Sequence, residues 1–483
     1  MKNLLRIILA PVAVAVAVAA CNPAEQEKPE AAAPALVSTE PETGTEGLTE
    51  SSLTVVFTYD QTIKCTLANT EKVTVSGGAS KDKVYTAGNK LSVAVSGLER
   101  GKTYTVTVPA GCVEGFKENQ KAAAQASVSF SMKEGEKEYG RDPQATLSNP
   151  KASAGAVKLY EWLLSNYGTK TLSGAMGGTA WETSYTDYIK SQTGTYPAIV
   201  GFDYLFNNWP PKAWGGCPDY GDITPVRQAW EAHNIIQIGW HWCVPSAEGT
   251  TDINQYSYST KAFGVKNALT PGTWQNAEMK KQVAQIAGYL KLLKDAGIPV
   301  LWRPLHEAAG DYTWGAWFWW GYDGPEYCKK LWQYLYNEFT GTYGLDNLIW
   351  VWTVQTSDAG RPASVDKLIE WYPGDAYVDI VGADLYVAKN TTQSNLFKLV
   401  NNSVRGRKMV VASEFGNLLD IDGFFAEDAP WGYFLNWCNF EDGKPVLYAR
   451  NSDGTYTWNN TAADWKAALE NSHTVNRDDI PSF

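Results

Sequence analysis

The sequence predicts an α/β protein built on an eight-stranded parallel β/α barrel, preceded by a small antiparallel β-sandwich. Three observations carry this expectation. The chain has 483 residues, more than one compact core ordinarily holds, which points to two unequal domains. Between residues 36 and 132, short stretches alternate apolar and polar positions with a period of two. From residue 145 onward, short continuous apolar runs alternate with amphipathic helical segments, the pattern of repeated β/α units.

The first segment, 1–20, places Lys2 and Arg6 ahead of an apolar run too short for an ordinary spanning helix, as a secretory signal does. Val18-Ala19-Ala20-Cys21 resembles a bacterial lipobox, where cleavage before the cysteine precedes lipidation of its thiol. Cys21 is then the expected lipid anchor, and an outer membrane, on its cell-surface or its periplasmic face, the expected location. The alternative is an ordinary cleaved signal followed by an unrelated cysteine. Residues 21–35 are rich in Ala, Pro and Glu and cannot bury enough apolar surface to offset the entropy of ordering, so they read as a tether. Glu25, Glu27 and Glu30 behind the cysteine look like the acidic signal by which some bacterial lipoproteins reach the cell surface.

In the sandwich region, "SLTVVFTYD" sets Leu53, Val55, Phe57 and Tyr59 against Thr54, Val56 and Thr58, the signature of a half-buried strand. "TYTVTVPAG", "KVTVSGG", "LSVAVSG" and "ASVSFSM" repeat it between Gly-rich turns, so 36–132 resembles a bacterial immunoglobulin-like module. No cluster of catalytic residue types falls within it, which makes it a spacer, with glycan binding the alternative role. The charged stretch 133–144 reads as a linker to the domain at 145–483.

Eight strand candidates follow in that domain: "TLSGAM", "PAIVGFD", "IIQIGWHW", "IPVLWRPLH", "LIWVWT", "YVDIVGADLY", "KMVVASEF" and "YFLNWC". Eight closes a parallel (TIM) barrel whose interior is filled by side chains, and whose active site sits at the C-terminal strand ends. Polar residues that terminate apolar runs therefore carry the functional reading: Asp203, His241, His306 with Glu307, Asp384 with Tyr386, and Glu414. Glu307 and Glu414 end the fourth and seventh runs, 107 residues apart, and both would face the same mouth.

Two carboxyls across a cleft are what glycoside hydrolysis needs. One must be protonated to assist the leaving oxygen, and the other ionised to trap the cationic anomeric carbon. Mutual repulsion and unequal solvation can hold such a pair in opposite states.

Other chemistries find less support. "HEAAG" has Gly310 where a zinc protease needs its second histidine, and no strand-to-helix G-x-S-x-G or P-loop is present. The formal charge of −11 comes with no Lys/Arg cluster, which argues against a nucleic acid partner. Six cysteines lie beyond Cys21 without a CxxC, so neither a zinc knuckle nor a redox motif is expected, and the reading includes no metal and no cofactor. Cys65 with Cys112, and Cys217 with Cys243, are candidate disulfides, with buried free thiols the alternative. Aromatics are 13% of the chain, including 21 Trp, a store of flat faces that match the C–H faces of sugar rings. Trp437, at the end of the eighth run, is one candidate platform, whereas Trp302, Trp350 and Trp352 sit inside runs and read as packing.

"RPLHE" with a following "WFWWG", together with "YPAIVGFDY", "GWHW", "YVDIVGADLY" and "SEFG", resembles glycoside hydrolase family 26 from about residue 140 to the end. The resemblance implies a retaining endo-acting enzyme, in most members a β-1,4-mannanase and in some a xylanase or glucanase. It makes Glu307 the acid/base and Glu414 the nucleophile, with carboxyls about 5–5.5 Å apart. It places His241 and His306 beside the reacting sugar, Tyr386 within hydrogen-bonding reach of Glu414, and Trp317 at a sugar platform. Arg303 would supply positive charge beneath the site and keep Glu414 ionised. The implied partner is a β-mannan chain, bound by a monomer. One departure is visible: "DYTWGA" stands between Gly310 and Trp317, where the family usually has a shorter connection. A xylanase or mixed-linkage glucanase, and a non-catalytic surface glycan-binding lipoprotein, are the competing expectations.

Overall fold

A computed structural model describes residues 32–117, 121–135, 137–211 and 217–483, so the signal segment and Cys21 lie outside the described residues. The chain separates into two compact units that divide between Gly135 and Glu136.

The first unit is a two-sheet sandwich. One sheet runs, in spatial order, Leu36–Glu40, Ser52–Tyr59, Lys90–Ser96, Ser80–Ala87; the other runs Thr45–Leu48, Ala126–Met132, Thr103–Val108, Thr74–Val75. Pairing is antiparallel throughout except where Thr45–Leu48 lies parallel to Ala126–Met132. The period-two pattern works as expected: Val55, Phe57 and Tyr59 are buried with Val93, Val95, Tyr104, Val106, Val128 and Phe130. "KVTVSGG" contributes only Thr74–Val75, and Ser80–Ala87, whose polar residues hide its alternation, is a strand that composition did not announce.

The second unit is the closed barrel. Its strands are β1 (Thr171–Met176), β2 (Ile199–Asp203), β3 (Ile235–Trp240), β4 (Val300–Pro304), β5 (Leu348–Val354), β6 (Ile380–Leu385), β7 (Met409–Phe415) and β8 (Tyr433–Asn436). Each pairs in parallel with the next, and β1 pairs with both β2 and β8, which completes the ring. Helix-covered strands have both faces buried, which is why they read as unbroken apolar runs. Trp302, Trp350 and Trp352 are buried within β4 and β5, as expected of packing residues. Upstream of β1, the backbone at Tyr139, Asp142 and Gln144 donates to Asn402 Oδ1, Gly406 O and Arg407 O, so this segment is held against the barrel's own residues.

The candidate disulfides are not formed. Cys65, Cys112, Cys217, Cys243, Cys328 and Cys438 are all free, and all but Cys65 are buried, where a thiol packs as a small apolar group.

Candidate active site

Glu414 lies within β7, and its position depends on a bulge. Ala383 of β6 pairs with Ala412, but Asp384 pairs with Glu414, so Ser413 is an extra residue on β7. The bulge lets two sequence neighbours enter one network. Ser413 Oγ donates to Asp384 Oδ1 at 2.8 Å, while Glu414 Oε2 lies 3.1 Å from Arg303 Nη2. Gly382 makes room for it, since a Cβ there would come within 2.4 Å of both Ser413 Cβ and Oγ. Arg303, from β4, is buried; its Nη2 also bonds Asp384, and its Nε donates to Thr353 Oγ1 of β5 at 2.8 Å.

Glu307 arrives differently. β4 stops at Pro304, three residues before Glu307, because Leu305 and Glu307 adopt positive φ values of 52° and 50° that cannot continue an extended strand. Such backbone strain in non-glycine residues concentrates at functional sites. Trp317 Nε1 donates to Glu307 Oε2 at 2.9 Å. Single oxygens of Glu307, Asp384 and Glu414 all lie within 4.8 Å of one another.

Three carboxylates and one guanidinium in so small a volume cannot all be charged cheaply. Burial would strip the proton from Arg303, but Asp384, Glu414 and Glu307 outweigh that and hold its charge firmly. Burial first, and the Glu414 charge second, push Glu307 up from its usual range to about 7. Glu414 has the ionic contact with Arg303, and its Oε1 accepts from Tyr386 OH at 2.5 Å. Its Oε2 is buried and receives no hydrogen bond among the described residues, because the nearby guanidinium is not aligned to donate. The pair therefore divides into a carboxyl inclined to keep its proton and one held in place by Arg303 and Tyr386.

The histidines form a chain behind the carboxyls. Asp203, at the end of β2, accepts from the His241 backbone N–H at 3.0 Å and holds His241 Nδ1 at 2.8 Å through its other oxygen. Gly239 permits this, since a Cβ there would lie 2.7 Å from Asp203 Oδ2. His241 Nε2 lies 3.1 Å from His306 Nε2. Burial opposes charge on His241, but Asp203 outweighs it and raises the imidazole. Burial and the neighbouring His241 drive His306 well down, so it is neutral. Trp437 packs on His241 with ring centroids 5.5 Å apart, and Phe318 lies 5.1 Å from His306.

A cavity of about 530 Å³ opens over the carboxyls, lined by Glu307, Trp317, Asp384 and Tyr386, and by Arg361 and Gln393 from the loops after β5 and β6. All the residues singled out in the barrel sequence thus meet: Arg303, Glu307, Tyr386, Glu414 and Trp317 around the carboxyl cluster, with His241, His306 and Trp437 in the adjoining ring cluster. Asp203 and Asp384 were visible as strand ends without an assigned part. Thr353, Ser413 and Phe318 were not found, and only the "GADLY" and "ASEF" contexts hinted at an inward polar layer. The tryptophans of 314–320 divide: Trp319 and Trp320 are fully buried, Trp320 Nε1 donating to His306 O at 2.9 Å, whereas Trp317 and Trp314 are exposed.

A closed β/α barrel that sets two carboxyls close together at its C-terminal mouth, one of them raised, is the arrangement of a glycoside hydrolase. Comparison narrows this to one family: the model of glycosyl hydrolase family 26 matches residues 148–473, and the chain belongs to that family. A bacterial Ig-like domain model matches 30–132. Mannan endo-1,4-β-mannosidase B of Piromyces sp is 31% identical over 88% of this chain and 69% of its own length. Mannan endo-1,4-β-mannosidase A of Piromyces sp is 34% identical over 70% of this chain, which spans about half (51%) of that relative. The solved family 26 domain of a Prevotella bryantii endo-β-mannanase/endo-β-glucanase is 34% identical, covers 70% of this chain and 100% of that domain, and superposes with a TM-score of 0.61.

Proposed function

We propose that this chain is a retaining endo-β-1,4-mannanase that hydrolyses internal β-mannosidic bonds of mannan, glucomannan or galactomannan. The carrying observation is the carboxyl pair: Glu307 raised to about 7 and Glu414 fixed by Arg303 and Tyr386, with an oxygen of each within 4.8 Å. So close an approach of the two carboxyls supports the short separation of retaining enzymes, about 5–5.5 Å, over the roughly 6.5–9.5 Å of inverting ones. The names of its relatives support mannan as the substrate.

A carboxylate oxygen of Glu414 attacks the anomeric carbon while the Glu307 proton passes to the departing glycosidic oxygen, and the C–O bond breaks as the glycosyl ester forms. Glu307, now ionised, takes a proton from a water molecule. The resulting hydroxyl bonds to the anomeric carbon, Glu414 leaves as the carboxylate, and the sugar keeps its β configuration. Arg303 stabilises Glu414 in both its free and departing states, and Tyr386 fixes the attacking geometry. His241, Trp317 and Trp437 bind the sugar on either side of the bond, and His306 holds His241 from behind. Asp203 keeps the His241 ring oriented.

The test is hydrolysis of galactomannan, xylan and barley glucan side by side, with the anomer of the first product read by proton NMR. Release from galactomannan with initial β product is expected. Release from xylan alone, or initial α product, overturns the reading. We further propose that the chain acts as a monomer and is tethered to the outer membrane through lipid on Cys21, the tether being supported by its lipobox-like sequence. Cys21→Ala should then move the protein from the detergent phase to the aqueous phase.

A further inference from the structure

The stretch that departs from the family pattern folds into a tight hairpin with a tryptophan near its tip. Asp311 and Gly315 pair through both backbone groups, Gly315 N donating to Asp311 O at 2.6 Å and Asp311 N to Gly315 O at 3.2 Å. The buried Asp311 carboxylate holds the turn from within, accepting from Thr313 N at 2.9 Å and Trp314 N at 3.0 Å. The same carboxylate accepts from Ala359 N at 2.9 Å and Ser357 Oγ at 3.2 Å, and Thr313 Oγ1 donates to Asp358 Oδ1 at 2.6 Å. The hairpin is thus pinned to the loop after β5, whose Ser357, Gly360, Arg361 and Pro362 line the catalytic cavity.

This scaffold presents Trp314 with 76% of its surface exposed, the most exposed of the large apolar side chains among the barrel's described residues. A brace built on a buried carboxylate thus holds a large flat aromatic in water. Beside it lies a second groove of about 450 Å³, lined by Trp314, Tyr312, Tyr322, Lys261, Glu370 and Trp371. Lys261 lies over the Tyr322 ring at 5.6 Å, and Tyr322 OH donates to Trp317 O at 2.9 Å, linking the groove to the cavity's own platform. Flat rings interleaved with a few polar groups are the chemistry that holds a pyranose. An endo-acting enzyme binds a chain that must continue past the cavity on both sides of the bond.

We propose that the 311–315 hairpin and its groove form a distal subsite for the β-1,4-linked glycan, in which Trp314 stacks on a sugar outside the catalytic cavity. This inference rests on the endo-mannanase reading. One such stacking contact strengthens binding about three- to tenfold. Its loss should therefore be felt by long chains more than by short ones.

The test has two arms. For Trp314→Ala, kcat/KM on galactomannan should fall about three- to tenfold further than on mannotriose, and Trp314→Phe, which keeps a flat face, should recover most of the difference. In the second arm, Glu414→Ala and Glu414→Ala/Trp314→Ala are run through gels containing galactomannan. The single variant should be retarded and the double variant clearly less so. Equal retardation, or equal loss on both substrates, overturns the subsite and leaves the mannanase reading intact. If Glu414→Ala itself runs unretarded while wild type hydrolyses no glycan, the underlying reading falls and takes the subsite with it.

Discussion

In the sandwich, the deeply buried side chains are Val55, Phe57, Val93, Val106, Val128 and their like, and among the described residues the buried polar ones, tyrosines aside, are Thr70 and Ser92. At the barrel mouth Asp203, Arg303, His306 and Glu414 are buried as deeply. Desolvating an ion costs several kcal/mol even after the protein relaxes, so a fold does not gather charges in one place for stability. The sandwich obeys the ordinary burial rule and reads as scaffold. The mouth violates it at adjoining strand ends, and there the violation has a chemical use.

The sharpest way to break this contrast is Glu414→Ala. If the buried charge is the nucleophile, turnover of galactomannan measured as reducing-sugar release should fall on the order of 10⁴-fold or more, with glycan binding retained. Unchanged turnover would mean that the carboxylate is a structural ion and that the mouth differs from the sandwich only in polarity.

Glu307 gives the next largest effect, and its sign is set by its environment. The carboxyl is raised to about 7, so it is protonated and competent as an acid below that pH. It loses the proton as pH rises through about 7, and kcat/KM should fall along that basic limb. Glu307→Gln should cost roughly 10²- to 10⁴-fold on polysaccharide, and much less on an aryl mannoside whose leaving group needs no proton. The same shift bears on stability. A carboxyl raised in the folded state favours folding at low pH, and that contribution is lost as pH rises through about 7. At pH 8 the glutamine variant should therefore be more stable than wild type, by on the order of 1 kcal/mol in denaturant titrations. Lower stability at pH 8 would contradict the desolvated acid.

Tyr386→Phe tests the fixing of the nucleophile. A hydrogen bond to a charged group contributes about 1.5–3 kcal/mol, so kcat should fall roughly 10- to 100-fold with KM little changed. A matching rise in KM alone would make Tyr386 a sugar ligand rather than a positioning residue.

What the sequence revealed of these regions follows the same division. All eight barrel strands were legible because strands buried on both faces are written as apolar runs, and Glu307, Glu414, His241 and Tyr386 were legible as polar interruptions of them. The joining of both Ser413 and Glu414 to the Asp384–Arg303 pair was not, because it depends on a one-residue bulge at Ser413 that leaves no periodic trace. The turn that carries Glu307 past the end of β4 was hidden likewise, since positive φ at Leu305 and Glu307 contradicts their local preference. In the sandwich, Ser80–Ala87 escaped because Lys81, Asp82 and Lys83 interrupt its alternation on an edge of the sheet. The disulfide candidates failed for a related reason: sequence spacing says nothing of Cβ geometry.

The smallest expected effect belongs to the sandwich core. Val106 is fully buried and pairs with Val128 and Val75 across its sheet. Val106→Ala should lower the stability of that domain by roughly 1.5–3 kcal/mol, through lost burial and the cavity left behind. Reducing-sugar release from soluble galactomannan at 25 °C should nevertheless stay within about twofold, because no buried ion and no cleft residue belongs to that domain's core. Calorimetry should show the weakened domain melting earlier while the barrel transition stays in place. A larger loss of turnover at a temperature where the variant is folded would assign the sandwich a part in holding the glycan, and its buried-apolar character would then no longer mark it as scaffold alone.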